Sequence, residues 1–160
     1  ERIGCEGSYM KLAVALQERA DLNIKIEDLK ARVNRNVLVQ EGEKPTENPK
    51  DLKKELDACI DRLEYLIAAI NKTNCETMVD GKSITELLAR KDALVLKASA
   101  YRDIVYVGSS NTDRARSTEI KILSVIDVKA WQKETDETAK EIRLIDNKIQ
   151  ETNWTTELIE

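Results

Sequence analysis

Val128, Trp131, Thr135, Thr138, Ile142, Ile145 and Ile149 follow one another in strict steps of three and four residues. Only an α-helix brings such positions onto one face, and a strand would need a period of two. Asp127 stands just ahead of this row, where a helix cap belongs. The same spacing recurs upstream. From Met10 the residues Leu12, Leu16, Leu22, Ile26, Leu29, Val33 and Val37 mark a first helix to about residue 36. Asn48 followed by Pro49 starts a second, with Leu52, Leu56, Cys59, Leu63, Leu66 and Ile70 on its stripe. Ile60 and Ile67 widen that stripe, so this helix is expected to meet more than one neighbour. Asp80-Gly81 breaks it. Ser83-Ile84-Thr85-Glu86 has the form of a capping box and opens a third helix. Its row of Ile84, Leu87, Leu94, Ala98, Tyr101 and Val105 is interrupted once by Lys91.

Composition agrees with long amphipathic helices: 41% hydrophobic and 35% charged, yet 4% aromatic, with two Pro and five Gly. A large β-sandwich or barrel would need more aromatics and more turn residues. The absence of histidine removes Ser-His-Asp and Cys-His nucleophiles, an imidazole base and His-ligated metals. A formal charge of −4 argues against a nucleic-acid partner, which would call for a basic face. Residues 82–121 hold eight Lys/Arg against five Asp/Glu, net +3, and residues 134–160 hold three against eight, net −5. These two stretches are suited to attract each other within or between chains.

Two segments lack helical period. Residues 1–9 spend two glycines and precede Met10, so they read as an upstream extension, leaving residues 10–160 as a single helical domain. Glu119 to Ile126 is β-branched and mostly alternating, which predicts a short strand. A lone strand needs a partner. Val37-Leu38-Val39-Gln40 can pair with it in the same chain, or the arm can pair across a symmetry axis. The expected fold is therefore mainly α: an elongated antiparallel bundle, or coiled coil, of four helices with a short β arm. A thirty-residue helix is about 45 Å long, whereas a compact chain of this size is about 40 Å across. Rods of that kind gain burial by associating, so a homo-oligomer is expected, with Trp131, Ile142, Ile145 and Ile149 as the candidate seam between chains.

Residues able to carry chemistry are few. Cys59 and Cys75 sit about 24 Å apart along one helix and cannot bridge within a chain. Both read as small buried residues. Asp57, Asp61 and Glu64, and again Asp136, Glu137 and Glu141, cluster at helical spacing but read as solvated faces. Asn74, Thr135 and Thr138 are polar positions in apolar rows, a pattern that fixes helix register. Arg114, Arg116 and Lys121 form a small basic group beside the arm, a candidate anion contact. No phosphate loop, cofactor motif or catalytic constellation is present. No apolar run approaches the roughly 18 residues of a membrane span and no secretory signal is visible. The expectation is a cytoplasmic protein that is not an enzyme.

Several stretches resemble one family. Met10-Lys11-Leu12-Ala13 with Glu18-Arg19-Ala20-Asp21-Leu22, then Val37-Leu38-Val39-Gln40-Glu41-Gly42-Glu43 and Ile70-Asn71-Lys72-Thr73-Asn74, look like the septicolysin-like family of small bacterial proteins. Arg116-Ser117-Thr118-Glu119-Ile120-Lys121 and Gln150-Glu151-Thr152-Asn153-Trp154-Thr155-Thr156-Glu157-Leu158 extend the match. The family brings no catalytic residues. Its name implies a relation to a pore-forming cytolysin, and that is the alternative to a self-associating or partner-binding helical protein. A pore former needs a long amphipathic hairpin or a large exposed apolar helix face. Here one short strand is visible, and the helical stripes are matched to bundle packing.

Overall fold

The computed structural model describes residues 9–110 and 121–160. Among them are four α-helices: α1 (Leu12–Asn36), α2 (Pro49–Glu76), α3 (Ile84–Ser109) and α4 (Val128–Thr155). A small hairpin of β1 (Met78–Val79) and β2 (Lys82–Ser83) precedes α3. The fold is mainly α, as the periodicity requires. The chain divides into two compact units, one of Glu1–Val79 with Thr152–Glu160 and the other of Asp80–Glu151.

In the first unit, α1 and α2 pack antiparallel. Their ion pairs run in opposite senses along the two helices: Glu18 with Arg62, Lys25 with Glu55, and Arg32 with Glu47 just ahead of α2. Leu29, Leu52 and Cys59 form the interior, flanked by Leu22, Ile26, Val33 and Leu56. The crossover between the helices is held by Asn36, whose side-chain amide donates to the Arg32 carbonyl at 2.9 Å and accepts from Glu47 N–H at 3.0 Å. Asn48 caps α2 by accepting from Lys50 N–H at 3.0 Å, with Pro49 at the first helical position.

The end of the chain closes this unit. Leu12, at the start of α1, has no side-chain cap before it. Its N–H donates to the Thr156 carbonyl at 2.9 Å, and Leu158 N–H returns a bond to the Met10 carbonyl at 2.8 Å. Thr73 anchors the tail from α2. Its hydroxyl donates to the Ala69 carbonyl and accepts from Ile159 N–H, both at 2.8 Å. Three backbone donors, those of Leu12, Leu158 and Ile159, are thus satisfied by residues far away in sequence.

In the second unit, Asp80 (φ 52) and Gly81 (φ 82) both take left-handed conformations, as the tight turn of a two-residue hairpin requires. Ser83 accepts from Glu86 N–H and Glu86 accepts from Ser83 N–H, completing the capping box. Helices α3 and α4 then pack antiparallel, with Arg90 against Glu141, Lys91 against Asp146, and the Tyr101 ring 4.9 Å from that of Trp131. Asp127 caps α4 by accepting from Ala130 N–H at 3.1 Å.

Two expectations are corrected. Residues 121–126 and 37–40 form no strand, and among the described residues the β-structure is instead the hairpin at Met78–Ser83 and one antiparallel bridge between Lys11 and Glu157. The physical reason is local: an Asp-Gly pair sets up a hairpin that needs only its immediate neighbours. Glu119 and Ile120 of the expected arm lie outside the described residues. Cys59 is buried, but Cys75 is exposed in the last turn of α2.

Candidate functional site

Helix α3 carries apolar side chains open to solvent at its C-terminal end. Ile104, Tyr106 and Val107, on its last turns, are exposed. After the residues that are not described, residues 121–126 return along this end of the helix. Gly108 permits the approach: a Cβ there would lie 2.8 Å from Ile126 Cδ1 and 3.4 Å from Ser124 Oγ. Side chains of Ser124 and Ile126 lie nearest that position, and Leu123 and Val125 beside them are 75% and 98% exposed.

Between the helix end and this arm lies a cleft of about 470 Å³. Its walls are Ile104, Val107, Leu123 and Ile126, with Asp103, Ser110 and Ser124 as polar members. The Ser110 hydroxyl donates to the Tyr106 carbonyl at 3.0 Å, and Ser124 to the Ile126 carbonyl at 3.5 Å. Their hydroxyl protons are thus engaged locally. Among the described residues, Asp103 is the one ionisable group in its lining. What it offers is contiguous apolar surface, the property that marks interaction sites on proteins.

The residues singled out from sequence fall elsewhere. Ile149 is buried, Ile142, Ile145 and Trp131 are half-buried, and Thr135 and Thr138 between them are buried. Trp131 packs on Tyr101, and both threonine hydroxyls donate to carbonyls one turn back, those of Trp131 and Glu134. Trp131 and Ile149 of this row thus make contacts within the chain, and Ile142 and Ile145 keep part of their surface open. Lys121 is exposed at the start of the arm, while Arg114 and Arg116 lie outside the described residues. Among the described residues no group of three carboxylates or thiols could hold a metal ion. The clustered acids have other partners: Lys53 for Asp57, Gln132 for Asp136 and Arg90 for Glu141.

The perturbed titrations belong to ion pairs of the first unit. Arg62 donates to both Glu18 oxygens, at 2.7 and 3.0 Å, and holds that carboxyl below its ordinary value. Arg32 does the same to Glu47. Tyr65 is raised by desolvation and then by its bond to Glu160. None of these groups lines the cleft.

Sequence reasoning picked out the arm for its β-branched pattern but missed its landing place. Gly108 opens a Gly-Ser-Ser-Asn run whose plain meaning is a helix end, and its second role appears only once Ile126 is seen against it.

Comparison with known proteins places the chain among proteins without an assigned activity. A family of unknown function, DUF6847, matches residues 19–158. The chain is similar to a crystal structure of a functionally unknown conserved protein from Corynebacterium diphtheriae, with 35% identity and a TM-score of 0.86. That similarity covers 95% of this chain and 100% of the other. No curated protein matches the chain. The resemblance to septicolysin-like proteins is therefore corrected: the family that matches is DUF6847, and the cytolysin reading loses its basis with it. Short matching stretches of Lys, Glu, Thr and Leu are common on amphipathic helices and do not discriminate between helical families. Among the described residues, no helix is long and apolar enough to cross a membrane.

Proposed function

The chain belongs to the family of unknown function DUF6847, and we propose that it works by association rather than catalysis, as a helical protein that binds a second copy of itself. The observation that carries this reading is the exposed apolar surface of the second unit, where Val107, Leu123 and Val125 are 70%, 75% and 98% exposed. A monomer that kept Leu and Val so open along an extended segment would invite aggregation. Burial at about 25 cal/mol per Å² of apolar area makes covering them favourable. A cytoplasmic setting is part of the reading. The buried Cys59 thiol suits a reducing compartment.

Light scattering tests the proposal. The wild-type chain should give a mass at least twice the 18.2 kDa of one copy. Val125→Lys should give a single copy with an unchanged circular-dichroism spectrum, because that side chain is open in one copy. A wild-type mass of one copy at micromolar concentration would overturn the reading.

A further inference from the structure

Resting on that reading of self-association, the geometry points to a particular contact: residues 121–127 of two copies pair antiparallel about a two-fold axis at Ser124. Three observations converge on it. The first is an open backbone. Residues 121–126 make no backbone–backbone hydrogen bond with any described residue, although each such group is a strong donor or acceptor. The second is composition. Ile122, Leu123 and Val125 are 49%, 75% and 98% exposed within one short run. β-branched and large aliphatic residues in such a run suit a paired strand and are a liability when left uncovered.

The third observation is charge, and it selects the register. A two-fold axis exchanges the two strands, so some residue must lie opposite its own copy. Centring on Ser124 sets Lys121 opposite the partner's Asp127, Ile122 opposite the partner's Ile126, and Leu123 opposite the partner's Val125. Every pair is matched in kind. Centring on Leu123 instead sets Lys121 against Val125 and Ile122 against Ser124. Centring on Val125 would need Lys129 opposite Lys121, but Lys129 lies in the first turn of α4 and cannot join a strand. Asp127 has capacity for the contact. Only its Oδ1 is engaged among the described residues, by Ala130 N–H, and Oδ2 remains open. The occupant of the apolar arm is thus the same arm of a second copy.

Cysteine cross-linking tests the register directly, in a chain carrying Cys5→Ser and Cys75→Ser. Opposed residues of an antiparallel pair have Cα atoms about 4.5–5.5 Å apart, within the reach of a disulfide. Ser124→Cys should therefore link most of the chain into covalent dimer under mild oxidation. Leu123→Cys places the two thiols on the diagonal, about 7–8 Å apart, and should link only a small fraction. Efficient linkage at Leu123→Cys alone would overturn the register. Linkage at neither position, with a multimeric mass by light scattering, would overturn the arm contact and leave self-association standing. A single-copy mass would overturn both.

Discussion

Thr73→Val separates a hydroxyl from the volume that carries it. The side chain is fully buried, and valine fills the same space with the same branching. Two bonds disappear. The Ala69 carbonyl lies inside α2 and keeps a helical backbone partner, so its loss is slight. Ile159 N–H is different, because the Thr73 hydroxyl at 2.8 Å is the acceptor that holds the tail against α2. One net hydrogen bond is worth about 1 kcal/mol, and a donor left unmet in a half-buried place adds up to about 1 more. The expected cost is about 1–2 kcal/mol. Thr73→Ser keeps both bonds, loses one methyl group and should cost about 0.8 kcal/mol. Urea denaturation ranks the two variants, and amide exchange at Leu158 shows whether the tail has loosened. A Thr73→Val chain within about 0.5 kcal/mol of wild type, with Leu158 exchange unchanged, would refute the reasoning.

Ile145→Asp places a charge in the half-buried row of α4 and should cost about 2–4 kcal/mol in thermal or urea unfolding. Glu18→Gln removes the lowered carboxyl paired with Arg62. A lowered folded pKa contributes stability above the unfolded value and loses it as pH falls through the folded one. The wild type should therefore exceed the variant slightly at pH 7, with the difference shrinking as pH falls through the ordinary carboxylate range and gone only below the lowered folded value. Gly108→Leu drives a side chain into Ile126, while leucine is the better helix former by about 0.8 kcal/mol. Melting temperature should hold or rise while self-association weakens, which paired calorimetry and light scattering would show.

The helices were legible because each of their signals is local and redundant. Asn48-Pro49, the Ser83–Glu86 box and Asp127 sit where the structure has its caps. Lys91 looked like a fault in the α3 row until its ammonium was seen on Asp146, 2.5 Å away, a pairing between residues 55 positions apart. The hairpin was half legible: Asp80-Gly81 read as a break, although the dipeptide is also the strongest short hairpin signal. Thr73 and Asn36 were invisible. Each is an ordinary polar residue in a helix, and its partner, Ile159 or Glu47, is set by tertiary folding. The arm misled for a related reason. Its alternating pattern announces pairing without naming a partner, and residues 121–126, the part of it among the described residues, form no strand.

Amide hydrogen exchange at residues 121–126, measured across a dilution series, tests the central claim that this arm joins two copies. At micromolar concentration these amides should be protected well beyond those of Leu38 and Val39, which make no backbone hydrogen bond with any described residue. Protection should fall as the protein is diluted and its mass drops to 18.2 kDa. Exchange at 121–126 as fast as at Leu38 and Val39, and unchanged by concentration, would contradict it.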